Sequence, residues 1–152
     1  MLDPYPAQIS LNFLAGHLAP EAIRLVGLIS NHHVVLLVNG GNTHNFVQHR
    51  LITQLGLSCW ATSSLRMMVG NDQNLECTSI CERVSIIIQD IIFTMDLYVL
   101  PISGANVVLG VQWFKILGPV LTNYSTLCIQ FFYQGRLVEL KGENEAKLGL
   151  LT

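Results

Sequence analysis

The chain has 152 residues, the length of about one domain, and 51% of them are hydrophobic while only 12% are charged, against ~25% in an ordinary soluble domain; apolar surface left over on a lone copy makes association between copies the expectation. A net charge of −2, an isoelectric point near 6.2 and Lys and Arg scattered singly exclude the basic footprint of a nucleic-acid binder. No apolar run approaches the ~18 residues of a membrane span and the first twenty residues lack a charged-then-apolar leader, so no membrane partner is expected and the chain reads as intracellular and cytoplasmic.

Residues 1–8 hold Pro4 and Pro6 and read as an irregular lead-in, such as the cut end of a longer polyprotein would leave. The domain proper spans 9–141, and a polar tail spans 142–152. Residues 9–13 alternate apolar and polar as a half-buried strand does, and the stretch to 21, with Gly16 and Pro20, breaks it. Residues 23–29 make a second strand, which turns through Ser30, Asn31 and His32 into the apolar run 34–38, suited to a strand buried on both faces. His32 and His33, adjacent in a polar turn, read as solvated.

The apolar run stops abruptly at Asn39-Gly40-Gly41-Asn42-Thr43-His44-Asn45, where paired glycines permit backbone angles and close approaches that a side chain forbids. Phe46, Val47, Leu51, Ile52, Leu55 and Leu57 follow at helical spacing, so the turn is expected between a strand and a helix. A catalytic base at His44 would need a nucleophile, and no Ser or Cys stands beside it in sequence. After Gly56, residues 58–64 read as a loop; strands 65–69 and 74–77 are joined by a four-residue turn at 70–73, and strands 84–88 and 91–100 by Gln89-Asp90. Ile116 to Gly118 end a short helix whose continuation Pro119 blocks, and a last hairpin pairs 127–132 with 137–140. Cys59, Cys77, Cys81 and Cys128 form no CxxC pair and lack histidines at finger spacing, so no metal or other cofactor is expected. They read as buried free thiols; Cys77 and Cys81 could share a strand face, but an intracellular setting argues against a disulfide.

Around Asn39 the sequence resembles the active-site segment of retropepsin-like aspartic proteases, especially those of plant gypsy-type LTR retrotransposon polyproteins. There two or three apolar residues precede Asp-Ser/Thr/Gly-Gly-Ala/Ser-Thr-His-Asn-Phe. Asn39 stands in the place of the catalytic aspartate, Gly40 is a known variant, Gly41 and Thr43 to Phe46 match, and Asn42 replaces Ala or Ser. Ala105-Asn106-Val107-Val108-Leu109-Gly110-Val111-Gln112-Trp113-Phe114 is similar to a second segment of the family, Ala-Asp-Val-Val-Leu-Gly-Val-Gln-Trp-Leu, with Asn106 for another aspartate. The resemblance implies an all-β fold, mainly β with one or two short helices: a single-lobed, retropepsin-like closed β-barrel of the acid protease type. It implies a site at Asn39, Gly40 and Gly41 scaffolded by Thr43, Val108, Leu109 and Gly110, with His44 structural. It also makes the hairpin at Met68, Val69, Gly70, Asn71 and Asp72 a flap over an extended polypeptide; an ordinary hairpin at the sheet edge is the alternative, and Met67 and Met68 are as well suited to filling core as to lining a cleft.

Aspartic proteases use two carboxylates sharing one proton, and a chain with one such motif supplies the pair only as a homodimer about a two-fold axis. An asparagine amide has the same shape but no useful basicity, so it cannot activate water. Asp72, Asp90 and Asp96 lie in hairpins away from the motif. The expectation is therefore an inactive peptidase domain. The alternatives are a module that grips peptides by strand addition without cutting them, or a protease that works only beside an Asp-bearing partner or after deamidation of Asn39-Gly40.

Overall fold

Alternation of apolar and polar residues, interrupted by short polar turns, makes strands of most of this chain. The computed structural model describes residues 7–8, 22–69, 73–102 and 104–143. Along it run β1 (Ala7–Gln8), β2 (Ile23–Ile29), β3 (His32–Val38), β4 (Phe46–Gln48), α1 (His49–Leu55), β5 (Trp60–Val69), β6 (Gln73–Ile88), β7 (Ile91–Leu100), β8 (Val107–Leu109), α2 (Val111–Leu117), β9 (Val120–Asn123), β10 (Cys128–Tyr133) and β11 (Arg136–Lys141).

Three hairpins turn on two residues that both have positive φ: Ser30 and Asn31 (50° and 65°), Gln89 and Asp90 (47° and 71°), and Gln134 and Gly135 (51° and 78°). Such turns match the right-handed twist of the strands they join, which sets the registers Ile29↔His32, Ile88↔Ile91 and Tyr133↔Arg136. Strands β6, β2, β3, β8, β4 and β7 are hydrogen-bonded in that order, and β7 returns to β6, so the sheet closes into a six-stranded barrel. The pairs β3–β8 and β4–β7 are parallel and the other four antiparallel. Closure leaves these six strands no open edge in the ring.

The inward residues of β2, Leu25 and Ile29, meet Leu36, Ile86, Ile88, Phe93, Leu97 and Leu109 in the main core. Gly27 faces the same way because a Cβ there would lie 2.8 Å from Ile87 O and from Leu36 Cδ1. Trp113 of α2 is fully buried and meets Phe93 edge-on at 5.7 Å and Phe131 at 6.4 Å, which fastens the separate sheet β9–β10–β11 to the barrel. The side chain of Gln89 does the same from the other side: its Nε2 donates to Lys141 O (2.7 Å) and its Oε1 accepts from Lys141 N (3.0 Å), as a strand residue would. A smaller cluster of Leu37, Phe46, Cys77, Leu100, Ile102, Ala105 and Val108 lies apart from the main core.

Several expected elements differ. Phe46 and Val47 are strand rather than helix, because β7 and β8 flank them and satisfy their backbone; α1 starts only at His49 and is closed by Gly56 at φ 63°. The expected loop 58–64 is already strand from Trp60, with an irregularity between Ala61 and Leu65. The strands 74–77 and 84–88 are one strand, β6, bent by a bulge between Cys81 and Val84 where Arg83 has φ 54°. Gln73, expected in the turn 70–73, belongs to that strand opposite Val69, and residues 70–72 lie outside the described residues. His32 and His33 open β3 and are exposed, and β9 was not anticipated. The expected strand 9–13 lies outside the described residues; within the expected lead-in, Ala7 and Gln8 pair in parallel with Met67 and Met68. Of the tail, Gly142 N donates to Leu127 O and Glu143 N to Arg24 O.

Candidate active site

The end of β3 becomes a site because the chain there cannot continue as a strand. Asn39 N still donates to Leu109 O of β8 (3.0 Å), but Asn42 N folds back to Asn39 O (3.2 Å) and closes a tight turn over Gly40 and Gly41. Asn39 is buried, with 5% of its surface exposed, and its Oδ1 accepts the Gly41 N–H at 2.8 Å. That is a side chain fixed by its own turn, with its amide oxygen already polarised by a backbone donor.

The second segment holds this turn from below. Val111 N donates to Asn42 O (2.8 Å) and Gln112 N to Thr43 O (3.2 Å), so the unpaired first N–H groups of α2 find their acceptors in the Asn39 turn. Gly110 N donates to Asn45 Oδ1 at 2.9 Å, and Asn45 Nδ2 points at Met95 Sδ (3.7 Å). At Gly110 a side chain is impossible: its Cβ would collide with Asn42 O and stand 2.5 Å from His44 O. Val108 pairs with Leu37 on one side and Phe46 on the other, and Leu109 with Val38. Thr43, Val108, Leu109 and Gly110 thus lie together beside the Asn39 turn.

Of the close approaches expected at Gly41, to a neighbouring strand or to a neighbouring chain, the contacts within the chain address only the first: Gly41 is not pressed against a neighbouring strand. A Cβ there would meet only the Asn39 side chain, 3.1 Å from its Oδ1, and one at Gly40 only Phe114, at 4.0 Å. Backbone contacts that exclude a Cβ lie instead at Gly110, against the Asn39 turn, and at Gly27, against β6.

His44 is 4% exposed, its Nδ1 lies 2.7 Å from Thr43 Oγ1, and Tyr98 meets its ring edge-on at 5.5 Å. Burial raises the Tyr98 hydroxyl above its ordinary value, with Cys77 and Asp96 adding to the effect. Asn106, the second asparagine in an aspartate's place, is a clamp rather than part of the centre. Its Oδ1 accepts from Val35 N (2.7 Å), its N donates to Val35 O (2.9 Å), and its Nδ2 donates to Gln48 Oε1 (3.3 Å). Val35 lies four residues before Asn39, roughly 13 Å along a strand.

Asp90 and Asp96 are exposed on the β6–β7 hairpin, and Asp96 Oδ1 accepts the Arg83 N–H at the bulge (2.9 Å). Met68 and Val69 lie in β5 opposite Asn74 and Gln73, while Gly70, Asn71 and Asp72 fall outside the described residues. Asn45 was visible in the sequence only as a motif residue; its bond reaches 65 positions along the chain, which no local pattern announces. The groove of about 390 Å³ lined by Leu28, Ser30, Leu57 and Val84 opens at the far end of β3 and takes no part in this arrangement. Among the described residues no three His, Cys, Asp or Glu side chains cluster as a metal site requires, and no helix is long and apolar enough to cross a membrane.

A family model described as retroviral aspartyl protease matches residues 10–126. Among solved structures, the retroviral protease-like domain of Ddi1 from Leishmania major superposes with a TM-score of 0.59 at 12% identity, covering 81% of this chain and 94% of that one. EIAV protease complexed with the inhibitor HBY-793 superposes with a TM-score of 0.52 at 17% identity, covering 66% of this chain and 91% of that one. At such identities the likeness is one of fold. Compared with curated proteins, the chain finds no match.

Proposed function

Since the chain belongs to the family of retroviral aspartyl proteases, we propose that it is the retropepsin-like domain of a plant gypsy-type retrotransposon polyprotein in which Asn39 has switched off peptide cleavage. The observation that carries this reading is the hydrogen bond from Gly41 N to Asn39 Oδ1 in a buried turn at the end of β3. The amide stands where the family has its carboxylate, and Gly41, Thr43 to Phe46 and Val107 to Trp113 keep the family's residues around it. Cleavage in this family needs two carboxylates, one taking a proton from water and the other giving one to the scissile carbonyl. A homodimer about a two-fold axis would bring two copies of residue 39 together, and here both are neutral amides with no useful basicity near pH 7.

The test is the Asn39→Asp chain beside the natural one, each verified as a dimer, against a mixture of unstructured peptides across the acid range. The natural chain should leave every bond intact and the aspartate form should cleave. Cleavage by the natural chain, at unchanged mass, would overturn the proposal. Cleavage that tracks a fraction in which the Asn39 amide has become an acid would assign the activity to deamidation, and cleavage only on mixing with an Asp-bearing relative would assign it to a heterodimer.

A second reading is favoured by the intact state of the turn. Asn39, Asn45 and Gly110 keep their hydrogen bonds, and the β5–β6 hairpin is retained although the amide removes the chemistry. A module that holds extended polypeptides without cutting them would use the same parts. Titration of the natural dimer with extended peptides divides the readings: saturable binding supports the holding module, and its absence leaves a folded but idle domain.

A further inference from the structure

The four cysteines differ in what they face. The ladder between β5 and β6 begins at Trp60↔Ile80 and Ala61↔Ser79; the same register continued by one residue sets Cys59 across from Cys81, and the two thiols interact directly. Facing residues in an antiparallel pair have Cα atoms ~4.5–5.5 Å apart, inside the ~4.4–6.8 Å range of disulfides. Cys59 packs against the core cluster that contains Cys81. Cys59 is half-buried and reachable from solvent, whereas Cys81 is fully buried. Burial pushes the Cys81 thiol up to about 12, and the Cys59 thiol beside it pushes the same way. In the reduced chain Cys81 therefore stays a neutral thiol.

The other two cysteines have different neighbours. Cys77 lies in the smaller cluster, faces Leu65, and its thiol donates to Val99 O at 3.2 Å. It is four residues from Cys81 on one strand, roughly 13 Å, too far for a bond. Cys128 is in β10 of the separate sheet and donates to Thr126 O at 3.4 Å.

We propose that Cys59 and Cys81 form a redox site: a small-molecule disulfide, such as oxidised glutathione, converts them to an intramolecular disulfide that locks the root of the β5–β6 hairpin to the barrel. Cys59, as thiolate, attacks one sulfur of the small disulfide; that S–S bond breaks, and the departing thiolate takes up a proton. Cys81 then gives up its proton and attacks the Cys59 sulfur, and the mixed disulfide releases the second small thiol. Two protein thiols lose two electrons between them, and one small disulfide is reduced to two thiols. Cys81 stands just before the bulge at which β6 bends, so the bond ties the chain leaving α1 to the strand shared by hairpin and barrel. The bond requires neither Asn39 nor a peptide beneath the hairpin.

The experiment equilibrates the full chain with reduced and oxidised glutathione at a series of ratios, quenches with acid, alkylates and maps the peptides. The expected product is lighter by two hydrogens, has the Cys59 and Cys81 peptides joined and Cys77 and Cys128 alkylated, and melts roughly 5–15 °C higher than the reduced chain. Dithiothreitol should reverse both changes. Cys81→Ala should stop at glutathione on Cys59, and Cys77→Ala should still form the bond. Should Cys81→Ala fail to fold, the map of the natural chain decides alone. Persistent glutathione on Cys59 of the natural chain, a joined peptide containing Cys77 or Cys128, a bond between two chains, or four free thiols at the most oxidising ratio would each overturn the proposal.

Discussion

Asn39 differs from an aspartate by one NH₂ in place of one oxygen, and the consequences of that exchange are opposite for chemistry and for assembly. Two carboxylates ~3 Å apart cannot both ionise, so in an Asn39→Asp dimer one of them has its pKa raised above that of the separated chains. The dimer is then fully favoured below the ordinary carboxylate value and loses that advantage as pH climbs through the raised one. The aspartate form should therefore dissociate more readily at neutral pH than in acid, while a dimer of the natural chain should be indifferent at this position; sedimentation at both pH values checks it, and equal dissociation would mean that the two positions do not meet. The glycines provide a second test. Gly110→Ala forces backbone against Asn42 and His44 and should cost well over 1 kcal/mol, whereas Gly41→Ala meets only the Asn39 amide and should cost less. Thermal melts that ranked them the other way would contradict the described turn. Asn45→Ala should lose about 1–3 kcal/mol, because the Gly110 N–H is left buried without its acceptor.

At the scale of elements, the hairpin turn at Gln89 and Asp90 divides two effects cleanly. Asp90 sits at φ 71°, so Asp90→Gly should stabilise by up to about 1 kcal/mol. Gln89→Ala should instead destabilise by about 1–2 kcal/mol, since both bonds to Lys141 go with the side chain. Denaturant midpoints of the two variants are expected to move in opposite directions. The same contrast explains what could be foreseen. Strands β2 and β7 were legible because burial of one face is written in every second residue. β4 and β8 are three residues long and almost wholly buried, so neither carries alternation, and Phe46 and Val47 fit the helical period of α1 just as well. β6 looked like two strands because the bulge at Arg83 interrupts its pattern. The Asn39 turn was legible because its motif is contiguous. The Asn45 to Gly110 bond and the Asn106 clamp were not, because they are made across the barrel.

For the whole molecule, the low charge leaves large apolar side chains in solvent: Phe132 is 71% exposed, Leu121 67% and Leu137 64%, all on the sheet β9–β10–β11. A half-site motif and such surface together predict a homodimer, and a strictly monomeric species at tens of micromolar in sedimentation would remove the shared-site reading while leaving the fold untouched. Within the chain, β6 runs through 16 residues, about 50 Å of continuous backbone, and belongs to two structures at once. Its residues from Gln73 to Ile80 run along β5, and Ile80, Cys81 and Val84 to Ile88 pair with β7, with the bulge at Arg83 pinned by Asp96. Amides from 84 to 88 should exchange with deuterium only when the barrel as a whole opens, and those from 75 to 79 through a lower-energy, separate opening of the hairpin. Removing the pin with Asp96→Ala should let protection leak away from the barrel half first, turning a strand with two cooperative regimes into one that unzips from its middle.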